Sequence, residues 1–279
     1  MLSSAAPASA PVSAATPRPA KPQRIMSMNM CNDLILLMLV PRERIASITS
    51  LAHDAAKVFM PGADEGVPIN HGTAEEILLQ RPDLILVSPW TMSAARRLGE
   101  QVDTPIVEVE EATDFASIRR AVRQIGAAVG EPARAEALVR RMDADLAALA
   151  ARRPRKPLRV VVWSGDGSVP GRGTLTDAII TAAGGINIGA RRQDGGYSSF
   201  GLEDLLAARP DAIMQGVGSY GAPSLHKANA RHPVIDKLFA GRQIAYPDAG
   251  YACGLPQSAK AARDLARAFA AIPRGGPRW

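Results

Sequence analysis

Two segments of this chain follow the same pattern, one in each half. Residues 72–88 read GTAEEILLQRPDLILVS, and residues 200–216 read FGLEDLLAARPDAIMQG. Their identical residues recur 128 positions further on, as Glu203 does from Glu75. Each copy predicts a short amphipathic helix, a break at Arg-Pro-Asp where proline ends the helix, and an apolar strand. The period is too long for a solenoid, so it predicts two similar α/β lobes with one cleft between them.

Short β-branched segments alternate with helical periodicity in both halves, which is typical of parallel α/β sheets. Strands are predicted at residues 24–28, 44–49, 83–88, 105–109, 158–163, 212–215 and 243–246. Helices are predicted at residues 32–39, 73–79, 93–101, 115–129, 175–183, 202–208, 234–240 and 256–271. The predicted fold class is α/β, with two Rossmann-like lobes that are each built on a parallel sheet.

The segment between the halves predicts one long, stiff helix. It is rich in Ala, Leu and Arg, begins at Pro132 and stops before Pro154, with no glycine inside. Proline suits the first helical turn, and a helix of about 20 residues spans roughly 30 Å, the width of a small domain. The predicted organisation is a disordered leader at 1–22, an N-terminal lobe at 23–130, a connecting helix at 131–154, a C-terminal lobe at 155–272 and a tail at 273–279.

Composition limits the function classes. A hydrophobic content of 47% suits a soluble globular protein, and no apolar run approaches the roughly 18–20 residues of a membrane span. The net charge of +6 does not indicate nucleic-acid binding, because the basic residues crowd residues 152–159 and the termini without interleaved aromatic residues. Residues 1–22 are mainly Ala, Pro and Ser and resemble the region around a secretory cleavage site without its apolar segment, and the alternative is an ordinary disordered leader.

Aromatic and polar residues follow several of the predicted strands. In open parallel sheets, ligands bind beyond the carboxyl ends of the strands. The residues predicted to line such a site are Met28, Asn29, His53, Trp90, Trp163, Tyr197, Tyr220 and Tyr251. Together they favour a cleft for a bulky, partly apolar ligand, whereas any one of them has packing between loops as the alternative.

Motifs of enzymes and metal sites are missing from the sequence. There is no complete G-x-G-x-x-G, Walker or G-x-S-x-G motif, and the four histidines do not have metal-ligand spacing. The sequence therefore predicts neither a catalytic residue, nor a cofactor, nor a metal site. His53 and His71 are the histidines most worth testing, since both are predicted in loops beside the cleft.

Cys31 and Cys253 are the only cysteines. Each is predicted near the cleft, but in a different lobe. A disulfide that ties the lobes together and a pair of unpaired core residues are both open alternatives.

The two lobes, the rigid connecting helix and the glutamate before each Arg-Pro-Asp break resemble a known family across about residues 23–271. This family is the periplasmic substrate-binding proteins of ABC importers for iron complexes and cobalamin, whose two lobes are joined by a helix. The opening segment, RIMSMNMCNDLILLMLVPRERIASIT, also resembles the start of that family.

The resemblance implies a periplasmic, monomeric binding protein rather than an enzyme. Its ligand would be a ferric siderophore, haem or cobalamin type of molecule, and its partner an ABC permease dimer in the inner membrane. In that family, a glutamate at each lobe tip docks onto permease arginines, and by motif position these are Glu75 and Glu203. Glu76 and Asp204 directly follow them, so the assignment shifts by one in the alternative alignment.

Two other functions stay open at this point. One is a chelatase-like two-lobed enzyme that acts on a tetrapyrrole or metal complex, with His53 or His71 as its general base. The other is a sensor or adaptor that uses the same fold without transport.

Overall fold

The computed structural model describes residues 21–91, 93, 97, 104–164, 167–191, 195–217, 233–247, 249–273 and 275–277. Tyr220, most of the helix predicted at 93–101 and most of the predicted leader lie outside these residues. None of the helices in the described part of the chain is long and apolar enough to cross a membrane.

The first lobe is built on a five-stranded sheet in the order β3-β2-β1-β4-β5, in which all neighbouring strands are parallel. Its strands are β1 (Ile25–Ser27), β2 (Ile45–Thr49), β3 (Ile69–Asn70), β4 (Leu84–Val87) and β5 (Ile106–Glu108). Its helices are α1 (Met30–Leu39), α2 (Ser50–Phe59), α3 (Ala74–Gln80) and α4 (Phe115–Ala128). Every residue of β4 is buried, as expected for a parallel sheet that is covered on both faces.

The connecting helix is α5 (Pro132–Ala150), and Pro132 is its first residue, as predicted. It packs against α4 closely, because a Cβ on Gly126 would lie 2.3 Å from the Cβ of Ala135. Only glycine allows this approach.

The second lobe repeats the parallel arrangement with four strands in the order β11-β10-β6-β8, and adds an antiparallel pair of β7 and β9. Its strands are β6 (Arg159–Val162), β7 (Ser168–Pro170), β8 (Ile186–Asn187), β9 (Tyr197–Ser199), β10 (Ala212–Val217) and β11 (Gln243–Pro247). Its helices are α6 (Leu175–Ala182), α7 (Leu202–Ala208), α8 (Pro233–Leu238), α9 (Ala249–Ala252) and α10 (Ser258–Ala271). The predicted α/β class with parallel sheets is confirmed. One apolar core runs through α1, α4, α5, α6 and α10 and so joins the lobes.

Candidate functional site

Asn29 connects two strand ends in the first lobe. Its Oδ1 accepts hydrogen bonds from the backbone N–H groups of Cys31 (3.0 Å) and Asn32 (3.2 Å), which caps α1. Its Nδ2 donates to Oγ of Ser88, 3.2 Å away, just beyond β4. The chain runs from β1 to β2 on one side and later to β4 on the other, so this is the crevice where open α/β sheets bind ligands.

Two of the predicted ligand residues are buried. Met28 lies in a small core cluster under the first sheet, and only 8% of it is exposed. Trp163 is 6% exposed and packs in the second lobe's core with Phe200 and Phe239. Its indole N–H has no hydrogen-bond partner among the described residues. Both side chains therefore offer little surface to a ligand.

The other described aromatic residues differ in exposure. Trp90 is 79% exposed, and its indole N–H donates to Oε2 of Glu111 at 3.4 Å. Tyr197 is 71% exposed on β9. Tyr251 is half-buried in α9, where its ring centroid lies 4.4 Å from that of Tyr246, and burial raises the pKa of its phenol above the ordinary value. Tyr251 is therefore a neutral hydroxyl at neutral pH.

The sequence predicted His53 in a loop, but the residue lies within α2. The prediction was wrong because β2 runs into α2 at Ser50 without a glycine or proline to mark the boundary. Its Nδ1 contacts the buried carboxylate of Asp64. His71 does precede α3, where its Nδ1 lies 3.2 Å from Oε1 of Glu76. Within the described ranges, no three His, Cys, Asp or Glu side chains are grouped so that they could hold a metal ion.

Cys31 and Cys253 are joined by a disulfide in the structure, with Cα atoms 5.2 Å apart and 222 positions between them in the sequence. Cys31 lies in the first turn of α1, directly after the Asn29 cap. Cys253 follows α9, which carries Tyr251. The bridge therefore joins the two lobes, close in sequence to Asn29 in the first lobe and Tyr251 in the second, both of which are candidate ligand residues.

The two repeated segments fold alike at their glutamates. Glu75 and Glu203 are the second residues of α3 and α7 and are exposed, and their carboxylates make no hydrogen bond or ion pair with another described residue. Glu76 and Asp204 come third and turn back onto the helix start. Glu76 accepts the N–H of Thr73 at 2.9 Å, and Asp204 accepts that of the residue before α7, also at 2.9 Å. The third residue thus caps each helix, while the second remains available to a partner.

The ends of these two helices are also equivalent. Arg81 and Arg209 end α3 and α7 in the left-handed conformation, with φ of 45° and 44°. The guanidinium of Arg24 donates to the carbonyls that end α3, and that of Arg159 donates to those that end α7. Arg24 and Arg159 lie outside the sequence match and were not recognised from it. They hold α3 and α7 to the start of the first strand of their own lobes.

A cavity of about 860 Å³ lies away from these strand ends, between the end of α5, α10 and the C-terminal residues. Its walls include Leu149, Leu158 and Phe269, with Arg152 and Arg267 beside them. None of the described residues that were predicted to bind ligand lines it. We therefore take the strand ends as the candidate ligand site, because their place in the fold, rather than cavity size, predicts binding.

Residues 27–221 match the family model described as periplasmic binding protein. The chain belongs to this family. Two strains of Halobacterium salinarum have a curated cobalamin-binding protein that is 23% identical to the chain over 209 residues, which is 71% of the chain and 55% of that protein. The chain thus spans about half the length of the curated relatives that it matches.

Solved structures of binding proteins share its fold. The periplasmic haem-binding protein RhuT of Roseiflexus sp. RS-1 superposes with a TM-score of 0.72 at 24% identity, over 90% of this chain and 99% of that one. The periplasmic vitamin B12-binding protein BtuF of Vibrio cholerae superposes with a TM-score of 0.67 at 16% identity, over 92% of this chain and 100% of that one. The family and these neighbours are binding proteins rather than enzymes, and the chelatase alternative has no support among them.

Proposed function

We propose that this chain is the substrate-binding protein of an ABC importer and delivers a bulky chelate to a membrane permease. The observation that carries the proposal is the pair Glu75 and Glu203, exposed at the same position of two equivalent helices. A permease dimer has two-fold symmetry, so it would meet two acids placed in this way. Charges at the rim of an interface set association rate and register more than affinity.

The ligand we propose is a large, partly apolar metal complex of the haem, cobalamin or ferric siderophore type. Relatives named for haem and for vitamin B12 support a macrocyclic ligand. In this chain, Trp90 offers a largely exposed ring from the first lobe, and Asn29 lies at the crevice. Tyr251 lies two residues before Cys253, which the disulfide joins to Cys31 beside Asn29. Burying an exposed aromatic ring against such a ligand would supply much of the affinity.

We also propose that the protein acts in the periplasm as a monomer after export. The disulfide between the lobes supports this location, because disulfides persist in oxidising compartments such as the bacterial periplasm.

The test of the proposed function uses the variant that carries Glu75→Ala and Glu203→Ala. We expect uptake of hemin or cyanocobalamin into vesicles that contain the partner permease and ATPase to fall at least about tenfold, which corresponds to about 1.4 kcal/mol. Affinity for the same probes, measured by tryptophan fluorescence, should stay unchanged. Glu43→Ala with Glu65→Ala removes two other exposed glutamates and serves as the matched control.

Normal uptake by the double variant, together with a small loss of thermal stability, would contradict the proposal. The two carboxylates would then only stabilise helix starts, a contribution of about 0.3–1 kcal/mol each.

A further inference from the structure

The helices α3 and α7, which carry the proposed docking glutamates, are each preceded by an exposed apolar side chain. Ile69 on β3 is 43% exposed, and Tyr197 on β9 is 71% exposed. Each lies six residues before its glutamate, so the pair keeps the 128-residue offset of the repeat. Isoleucine and tyrosine are not identical and lie outside the matching sequence, so the correspondence is visible only once both exposures are known.

The two side chains point outward although their strands have different neighbours. The next residue is buried in both copies, Asn70 at 0% and Ser198 at 6% exposure, and successive side chains of a strand alternate between faces. However, β3 pairs with β2 in parallel, whereas β9 pairs with β7 antiparallel. The shared outward apolar position is therefore not a by-product of one shared strand pairing.

The apolar residue and the glutamate of each lobe lie within reach of one partner surface. Six residues of extended chain span at most about 20 Å, and the helical turn shortens the path. An interface of ordinary size covers roughly 800 Å² on each partner. Apolar and aromatic residues at the centre of such a patch supply most of its binding energy, and charges lie at its rim.

We propose that Ile69 and Tyr197 are the apolar anchors of this docking surface and contact the permease beside Glu75 and Glu203. The inference rests on the proposed function. The two positions keep the same 128-residue offset as Glu75 and Glu203, as contact with a two-fold permease requires. The surface on the permease would then carry an apolar depression next to basic side chains, once for each lobe. Tyr197 accordingly moves from the ligand site to the docking surface.

The experiment measures how the whole chain binds its partner permease in lipid nanodiscs. In the variant with Ile69→Ser and Tyr197→Ser, we expect dissociation at least about 30-fold faster, the factor for a loss of about 2 kcal/mol at an interface centre. Association and its salt dependence should match the wild type. In the variant with Glu75→Ala and Glu203→Ala, association should be slower and its salt dependence weaker.

The control is Val234→Ser, since Val234 is also 43% exposed, but its counterpart at the 128-residue offset, Ile106, is only partly exposed. This variant should dissociate like the wild type. Affinity for hemin and for cyanocobalamin, measured on the same samples, should be unchanged in the Ile69 and Tyr197 variant.

Two outcomes would overturn the inference and leave the proposed function intact. One is wild-type permease binding by the Ile69 and Tyr197 variant while the glutamate variant is impaired. The other is weaker hemin or cyanocobalamin binding by Tyr197→Ser with normal permease binding, which would return Tyr197 to the ligand site. Failure of the wild-type chain to bind the permease at all would instead contradict the proposed function.

Discussion

The two lobes start the helices α3 and α7 differently and end them in the same way. Before α3, Oγ1 of Thr73 accepts the N–H of Glu76, whose carboxylate returns the bond. Before α7, Gly201 has no side chain to offer, and Asp204 alone closes the turn. Both helices nevertheless present an exposed glutamate and end in left-handed arginines. The difference teaches that the exposed acid is maintained while the chemistry that stabilises its helix varies.

A second shared feature lies deeper in the lobes. Asp33 in α1 accepts the N–H of Thr49, at the end of β2, at 3.0 Å. Asp177 in α6 accepts a hydrogen bond of 3.1 Å from Nδ2 of Asn187, which lies at the end of β8. Each aspartate thus joins its lobe's first helix to the neighbouring strand, but Asp33 is fully buried and Asp177 only partly. The two aspartates therefore have the same role in the topology of their lobes but differ in how far they are buried.

The largest expected effect tests whether the lobes are separate units. Replacing Cys31 and Cys253 by serine should lower the free energy of unfolding by about 2–5 kcal/mol, because the bridge closes a very long loop. Urea denaturation should still give one transition, since one apolar core runs through both lobes. The wild type in reductant should match the variant, and reductant should not change the variant further. Two transitions in the variant would show that the lobes fold independently.

The next prediction sharpens the contrast between the two aspartates. Burial raises the pKa of Asp33 to about 7, so between about pH 4 and 7 the folded state holds a proton that the unfolded state releases. Its contribution to stability is fully present below about pH 4, falls progressively as pH rises from about 4 to 7, and is gone above about pH 7. Asp33→Asn should remove this loss, which is on the order of 1 kcal/mol or more between pH 5 and 8. Denaturant titrations of wild type and variant at several pH values measure the difference.

Asp177→Asn is the matched comparison. Burial also raises the pKa of Asp177, although its hydrogen bond to Asn187 and the charge of Arg172 oppose the shift. Because Asp177 is partly exposed, the pH dependence of its variant should differ less from that of the wild type. An equal change in both variants would contradict the contrast between the lobes.

The smallest expected effects concern the helix starts. Thr73→Ala should cost about 1 kcal/mol of stability, since it removes a side-chain cap. Gly201→Ser should gain a few tenths of a kcal/mol, because φ of −93° suits any residue and the nearest obstacle is the flexible carboxylate of Glu203, 3.3 Å away. Thermal denaturation of both variants measures these changes. A loss of stability in Gly201→Ser would mean that glycine is needed there for another reason.

Much of the fold could be predicted from sequence, because periodicity and chain breakers act locally. The Arg-Pro-Asp breaks, Pro132 at the start of α5 and the apolar strands predicted the parallel α/β lobes and their connecting helix. Where no breaker separates two elements, as between β2 and α2, the prediction was wrong and His53 was placed in a loop. The short strands β3, β7, β8 and β9 were also missed, since two or three residues carry too little pattern.

The sequence by itself determined the repeat, the equivalence of Glu75 and Glu203 and the type of most long elements other than α2, since these depend mainly on local sequence patterns. Only the tertiary structure decided that Trp163 is buried while Tyr197 is exposed. It also decided the pairing of Cys31 with Cys253. The reason is that exposure and pairing depend on which distant segments pack together, and a one-dimensional pattern carries no record of that packing.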